Sequence, residues 1–125
     1  MIVIDTNVVI EYLKGNEIII QTVNEYSKNY GIGITYISEY ELLKYSDKKN
    51  KVLEEFIKNI TVLYPDNTSA ARSAEIFIKL RSSGDLINEN DILIAGIALK
   101  NNNKFITLDS DFNKIKDENI DILQI

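Results

Sequence analysis

The sequence predicts an α/β fold in which helices cover both faces of a central, mostly parallel sheet of about four or five strands. Short apolar segments alternate with helical patterns along the chain, and this alternation is typical of a parallel sheet. The 125 residues suffice for one substantial core but not for two, so we expect a single domain over residues 1–125. An apolar content of 45%, with one Pro and five Gly, is typical of an ordinary folded protein.

The expected strands are short apolar runs, and those at 60–64 and 31–35 are bounded by turn residues. They lie at residues 2–4, 31–35, 60–64, 104–108 and 120–123. Helical spacing and end signals predict helices at 8–13 after the capping residues Thr6 and Asn7, at 17–28, at 38–45 with Ser38 as the cap, at 51–58, at 68–82 and at 92–99. The last of these is apolar nearly all round, which predicts a buried helix.

The absence of histidine excludes catalysis by an imidazole base and any Ser-His-Asp triad. The absence of cysteine excludes disulfides and thiolate zinc sites. The start of the sequence has no basic leader, and no apolar run approaches the ~20 residues of a membrane span, so we expect a cytoplasmic protein. A net charge of −5 argues against a protein that coats nucleic acid, although it allows an acidic site that holds cations.

Acidic residues follow two of the predicted strands. Asp5 ends the first, and Asp109 with Asp111 follows the strand near the C-terminus. Ligands of open parallel sheets bind at the carboxyl ends of strands, which favours a functional role for these residues. The alternatives are helix capping for Asp5 and an Asx turn for the other two.

Two further acids lie near predicted helix starts. Asp91 precedes the apolar helix, where a carboxylate is also an ordinary partner of the helix dipole. Glu41 could close a capping box with Ser38, and Glu39 points about 200° away around the same helix. The residues alone do not choose between the two glutamates. Carboxylates gathered at one edge would repel one another without cations, and Mg²⁺ prefers oxygen ligands.

The chain resembles the PIN-domain nucleases and, among them, the VapC ribonuclease toxins of toxin–antitoxin pairs. The resemblance spans nearly the whole chain, and each motif is weak when taken alone. Four segments carry it in order: Val3-Ile4-Asp5-Thr6-Asn7, Glu41-Leu42, Asn90-Asp91-Ile92-Leu93-Ile94-Ala95, and Thr107-Leu108-Asp109-Ser110-Asp111-Phe112.

The resemblance implies a PIN-like three-layer α/β/α fold and cleavage of RNA by an endonuclease that depends on Mg²⁺ or Mn²⁺. It favours Glu41 over Glu39, and it implies that one or two ions are held by Asp5, Glu41, Asp91 and Asp109 and activate water. Asp111 would be an accessory ligand, and Asn7 and Thr107 would support the acidic residues through hydrogen bonds. An antitoxin partner and a homodimer are expected by the same analogy.

Several basic residues are candidates for RNA contact, namely Lys44, Lys48, Arg72 and Arg81, although charged runs are often only solvated surface. Tyr12, Tyr40 and Tyr45 could stack on bases, but we expect them to pack against the protein. A housekeeping RNA-processing nuclease of the same fold and an inactive PIN-like binding module are the alternative functions. The module is less favoured because all four acids are present.

Overall fold

Five parallel strands form one sheet in the order β3-β2-β1-β4-β5, in a computed structural model that describes residues 1–46 and 50–124. This confirms the predicted α/β class and strand number. The strands are Ile2–Ile4 (β1), Ile32–Thr35 (β2), Thr61–Leu63 (β3), Lys104–Thr107 (β4) and Ile120–Ile122 (β5).

Six α-helices and two short 3-10 helices connect the strands in the described residues. The α-helices are Thr6–Leu13 (α1), Glu17–Ser27 (α2), Tyr36–Lys44 (α3), Lys51–Lys58 (α4), Asn67–Ser83 (α5) and Glu89–Ala98 (α6), and the 3-10 helices are Lys100–Asn102 and Ser110–Ile115. No helix in the described part of the chain is long and apolar enough to cross a membrane.

Three helix starts lie two or three residues ahead of the sequence prediction. Helix α1 begins at Thr6 behind an Asp5 cap. Helix α3 begins at Tyr36, because the Thr35 hydroxyl accepts a hydrogen bond from the Ser38 amide and caps the helix three residues before the expected cap. Ser38 therefore lies inside the helix and is not its cap. Helix α6 begins at Glu89 behind an Asn88 cap, so Asp91 lies within its first turn and not ahead of it.

The alternation of side chains along β1 divides the core into two layers. Ile2 and Ile4 face a cluster that includes residues of α1, α2 and α4, whereas Val3 faces the cluster formed with α5 and α6. Helices therefore cover both faces of the sheet, as predicted. Helix α6 is buried along most of its length, which also agrees with its apolar sequence.

Helices α5 and α6 approach each other very closely at Gly96. A Cβ atom at this position would lie 1.9 Å from Ser73 Oγ and 2.8 Å from the Ser69 carbonyl oxygen, so only glycine fits. Nearby, the Ser73 hydroxyl donates to the Ile92 carbonyl at 3.2 Å. This contact fixes the start of α6, which carries Asp91, against α5.

Candidate active site

The candidate site lies at the carboxyl ends of the three central strands. Asp5 directly follows β1, Thr107 ends β4, and the pairing of Ile4 with Ile106 brings these two segments side by side. The Asp5 amide donates to the Ile106 carbonyl at 2.9 Å and extends this pairing by one residue. The strand ends thus hold Asp5 at the centre of the edge predicted from the sequence.

Asp5 is buried, with 5% of its surface exposed, and both of its carboxylate oxygens accept hydrogen bonds. Oδ1 accepts from the Thr6 amide at 2.9 Å, and Oδ2 accepts from the Thr107 hydroxyl at 2.7 Å. Asp5 is therefore the N-cap of α1, a role that the sequence assigned to Thr6 and Asn7. Capping and a place in an acidic site are combined in one residue.

Burial raises the pKa of Asp5 from 3.8 to about 6. The hydrogen bonds from Thr107 and Thr6 lower the pKa, and the charges of Glu41 and Asp109 raise it further. Loss of solvation of the charged form therefore outweighs the two hydrogen bonds, and the neighbouring carboxylates add a smaller contribution.

Glu41 projects from α3 toward the start of α1. Its Oε1 accepts a hydrogen bond from the Thr6 hydroxyl at 2.7 Å. The capping box with Ser38 is not formed, because Ser38 lies within the helix and its amide donates to Thr35. The alternative role considered for Glu41 is therefore wrong.

Asp91 is half-buried in the first turn of α6, and its pKa is raised from 3.8 to about 7. Burial is the largest cause, followed by the charges of Asp5, Asp109, Glu41 and Asp111. The first turn of helix α6 thus places Asp91 within the electrostatic field of the other carboxylates.

Asp109 follows β4 and caps the 3-10 helix that begins at Ser110. Its Oδ1 accepts from the Asp111 amide at 2.9 Å, which is the Asx turn that the sequence allowed. Its own amide donates to the Thr107 hydroxyl at 3.1 Å. Asp111 is exposed, and one of its oxygens lies 3.9 Å from Lys114 Nζ.

Thr107 and Asn7 connect the segments that carry the acids. Thr107 is fully buried and bonds both Asp5 and the Asp109 amide. The Asn7 side-chain oxygen accepts from the Leu108 amide at 3.2 Å, so Asn7 ties α1 to the end of β4. Within the part of the chain that the structure describes, Asn7 forms no hydrogen bond with a carboxylate.

The carboxylates interact, yet they do not converge on one point. Among residues 1–46 and 50–124, none of Asp5, Glu41, Asp91 and Asp109 forms a salt bridge. Within the same residues, no three acidic side chains already have a geometry that would hold a metal ion. A group of carboxylates without a basic partner has the chemistry that suits a hard divalent cation.

The four candidates for RNA contact differ in their surroundings. The Lys44 ammonium lies over the rings of Tyr40 and Tyr45, at 5.4 and 4.8 Å from their centroids. Arg72 forms a salt bridge with Asp117 at 2.8 Å, and Arg81 lies over the Phe77 ring. Lys48 lies outside the described residues.

The tyrosines only partly follow the expected packing. Tyr12 packs against Phe56 at a ring distance of 6.0 Å, as expected. Tyr40 and Tyr45 are exposed, with 52% and 81% of their surfaces accessible, so the packing predicted for them is wrong. Tyr40 is the middle residue of α3, and Tyr45 is its C-cap.

Sequence reasoning missed Thr6 and Ser38 as members of the site. Thr6 bonds Asp5 through its amide and Glu41 through its hydroxyl, and it also contacts Ser38 Oγ at 2.9 Å. The only signal in the sequence was a hydroxyl residue directly after the first acid, and helix capping already accounted for it.

An apolar groove leads away from Thr6 and Glu41 between α1, the end of α3 and the start of α4. Its apolar lining consists of Ile10, Leu13, Leu42, Val52 and Leu53. The exposure of Ile10 and Val52, at 40% and 65%, leaves apolar surface open directly beside the acidic residues.

The sheet order, the acidic edge and the four ordered motifs define one class of protein. Residues 2–118 match the PIN domain family, and the chain belongs to that family.

Two similar proteins are named as VapC ribonucleases. The chain is 33% identical over 95 residues to ribonuclease VapC3 of Methanocaldococcus jannaschii, covering 76% of this chain and 95% of that protein. It is 32% identical over 113 residues to ribonuclease VapC2 of Haemophilus influenzae, covering 80% and 84% of the two chains.

Solved structures give the same fold. The chain superimposes on a chain of VapBC-1 from nontypeable Haemophilus influenzae with a TM-score of 0.83 at 27% identity, covering 98% of both chains. A chain of VapBC2 from Rickettsia felis, solved with a fragment of promoter DNA, gives a TM-score of 0.83 at 22% identity and covers 99% of this chain and 100% of its own.

Proposed function

We propose that this chain is a metal-dependent endoribonuclease that hydrolyses RNA phosphodiester bonds and acts as the toxin of a toxin–antitoxin pair. The main support for the proposal is the grouping of Asp5, Glu41, Asp91 and Asp109 at one edge of a PIN-domain sheet, where their charges act on one another. The two relatives named as ribonucleases support the choice of RNA as substrate.

In this proposal the four acids hold one or two Mg²⁺ or Mn²⁺ ions, with Asp111 as an accessory ligand. A bound divalent ion would supply positive charge next to the phosphodiester oxygens. It would also lower the pKa of a bound water toward the neutral range. No histidine is then needed as a base. Asp5 and Asp91 would bind a cation in their ionised forms. Their raised pKa values favour the protonated forms, and cation binding would shift this equilibrium toward loss of the proton.

The residues around the acids orient them. Thr107 and the Thr6 amide fix both oxygens of Asp5, and the Asp109 amide is held by the Thr107 hydroxyl. Such supporting hydrogen bonds restrict ligand side chains to a few orientations. Lys44 is exposed at the end of α3 and within the field of Glu41, which makes it a candidate for contact with phosphate.

The apolar groove beside Glu41 supports a protein partner. An antitoxin segment with apolar side chains would bury Ile10 and Val52 and cover the acidic site from one side. Two relatives are named VapC and the chain is 27% identical to a chain of VapBC-1, which favours the toxin role over a housekeeping nuclease. A homodimer is also expected from the family.

The test of this function is cleavage of RNA with Mg²⁺ or Mn²⁺ by the wild type and by Asp5→Asn and Asp91→Asn. We expect the wild type to produce endonucleolytic fragments and each variant to lose at least about 100-fold in rate, the scale of a lost metal ligand. Asp85→Asn, at a partly exposed acid after α5, is the matched control. Equal cleavage by the wild type and both site variants would refute the proposal.

A further inference from the structure

Three hydroxyl groups form a continuous chain that ends on the Glu41 carboxylate. Thr35 Oγ1 lies 3.4 Å from Ser38 Oγ, Ser38 Oγ lies 2.9 Å from Thr6 Oγ1, and Thr6 Oγ1 lies 2.7 Å from Glu41 Oε1. Thr35 and Ser38 are fully buried. This chain of hydroxyl groups therefore begins in the core and ends in the acidic site.

The number of available protons fixes the direction of the hydrogen bonds in this hydroxyl chain. Each hydroxyl has one proton, and an ionised carboxylate can only accept. The proton of Thr6 must then point to Glu41, so the contact between Ser38 and Thr6 uses the Ser38 proton. Ser38 in turn accepts from Thr35, whose oxygen also accepts from the Ser38 amide at 3.1 Å.

Thr6 also connects two acids that come from distant parts of the chain. Its amide donates to Asp5 and its hydroxyl donates to Glu41. Ser38 and Glu41 are three residues apart on α3 and share one face of that helix, so the hydroxyl of Thr6 reaches both. Glu41 is long and partly exposed, and it would otherwise be free to turn toward solvent.

We propose that Thr6 and Ser38 are positioning residues that hold the Glu41 carboxylate in the site through this one-way hydroxyl chain. As far as it concerns metal binding, the inference rests on the proposed function. The orientation of Glu41 itself does not depend on that function. Thr6 acts directly on Glu41, and Ser38 acts through Thr6.

The first experiment requires neither metal nor RNA. The ¹³C NMR signal of the Glu41 side-chain carboxyl is compared in the wild type, in Thr6→Val and in Thr6→Ser. We expect Thr6→Val to shift the signal, because the isosteric Val cannot donate, and Thr6→Ser to leave it close to the wild-type position. Thr22→Val is the control, since the Thr22 hydroxyl donates to the Ile18 carbonyl one turn earlier in α2.

The second experiment measures Mn²⁺ affinity by titration of the same proteins. We expect Thr6→Val to weaken binding about 10-fold or more, with Thr6→Ser close to the wild type. Ser38→Ala should weaken it less than Thr6→Val, because Thr6 keeps its proton for Glu41. In a Glu41→Ala background, Thr6→Val should cause no further loss, because its effect passes through that carboxylate.

The outcomes separate the two proposals. An unmoved Glu41 signal in Thr6→Val would overturn the positioning role, as would an equal loss of Mn²⁺ affinity with and without Glu41. If the wild type binds no Mn²⁺ and cleaves no RNA, the proposed function fails. A shifted Glu41 signal in Thr6→Val would in that case still support the hydroxyl chain.

Discussion

Asp5 combines two roles that the sequence presented as alternatives. It caps α1 and at the same time lies buried among other acids. The sequence predicted its place, since an acid fused to a buried strand is unusual, but not its capping role. Capping depends on whether the side chain turns back to its own helix, which is decided by packing around Thr107.

Glu41 shows the limit of sequence reasoning at this scale. Residue spacing alone could not choose it over Glu39, and family resemblance supplied the choice. The structure adds the hydrogen bond from Thr6, a contact between residues 35 positions apart. No local pattern encodes such a contact, because it depends on how α1 and α3 meet at the sheet edge.

Asp91→Asn should stabilise the protein in the absence of divalent ions while abolishing cleavage. The pKa of Asp91 is about 7 in the folded protein against 3.8 ordinarily, so the folded state binds the proton more tightly than the unfolded state does. Rising pH therefore lowers stability between about pH 4 and 7, and the full cost is present at about pH 8.

Urea unfolding across this pH range measures the effect. Because Asp91 is only half-buried and solvent screens part of the repulsion, we expect a gain of about 1 kcal/mol for Asp91→Asn at about pH 8. The gain should shrink as the pH falls toward 4. A gain that stays constant with pH would contradict the electrostatic cause.

Thr107→Val should destabilise the protein by about 1–3 kcal/mol, because it removes the donor to Asp5 and leaves the Asp109 amide without its acceptor. Thermal and urea unfolding measure the loss. The control is Thr61→Val on the exposed strand β3, which should stay within about 0.5 kcal/mol of the wild type. Similar losses in both variants would show that the buried hydrogen bonds are not the cause.

At the scale of elements, periodicity located every strand and most helix ends to within two residues. The misplaced starts of α3 and α6 have one physical reason. Thr35 and Asn88 each use a side-chain oxygen to begin a helix earlier than the apolar pattern does. Polar capping residues lie outside the apolar stripe of a helix, so a prediction based on apolar spacing places the start of the helix too late.

Gly96→Ala should destabilise the protein by about 1–3 kcal/mol, although alanine is the better helix former by about 1 kcal/mol. The added methyl would meet the Ser73 hydroxyl and the Ser69 carbonyl and push α6 away from α5. Adding Ser73→Ala should recover only part of the loss, since the backbone carbonyl of Ser69 remains. A net gain in unfolding free energy for Gly96→Ala would contradict the close approach.

At the scale of the whole molecule, we expect the acidic site and the net charge of −5 to make the free energy of unfolding depend on cations. We expect about 10 mM Mg²⁺ to raise the melting temperature, and an excess corresponding to ~100 times the dissociation constant would add about 2.7 kcal/mol. KCl at equal ionic strength is the control for screening. The same Mg²⁺ should have little effect on Asp5→Asn or Asp91→Asn, and an equal effect on those variants would place cation binding elsewhere.

The pairing of β1 with β4 joins residues 2–4 to residues 104–106, and the acids near the two strands stand at positions 5 and 109. Proteins are synthesised from the N-terminus, so Asp5 leaves the ribosome long before its neighbouring strand exists. The proposed ribonuclease is synthesised on the ribosome and is therefore close to ribosomal RNA during its synthesis. Its order of strands delays assembly of the acidic edge until Asp109 has been synthesised, so a nascent chain shorter than 109 residues carries no complete site beside ribosomal RNA.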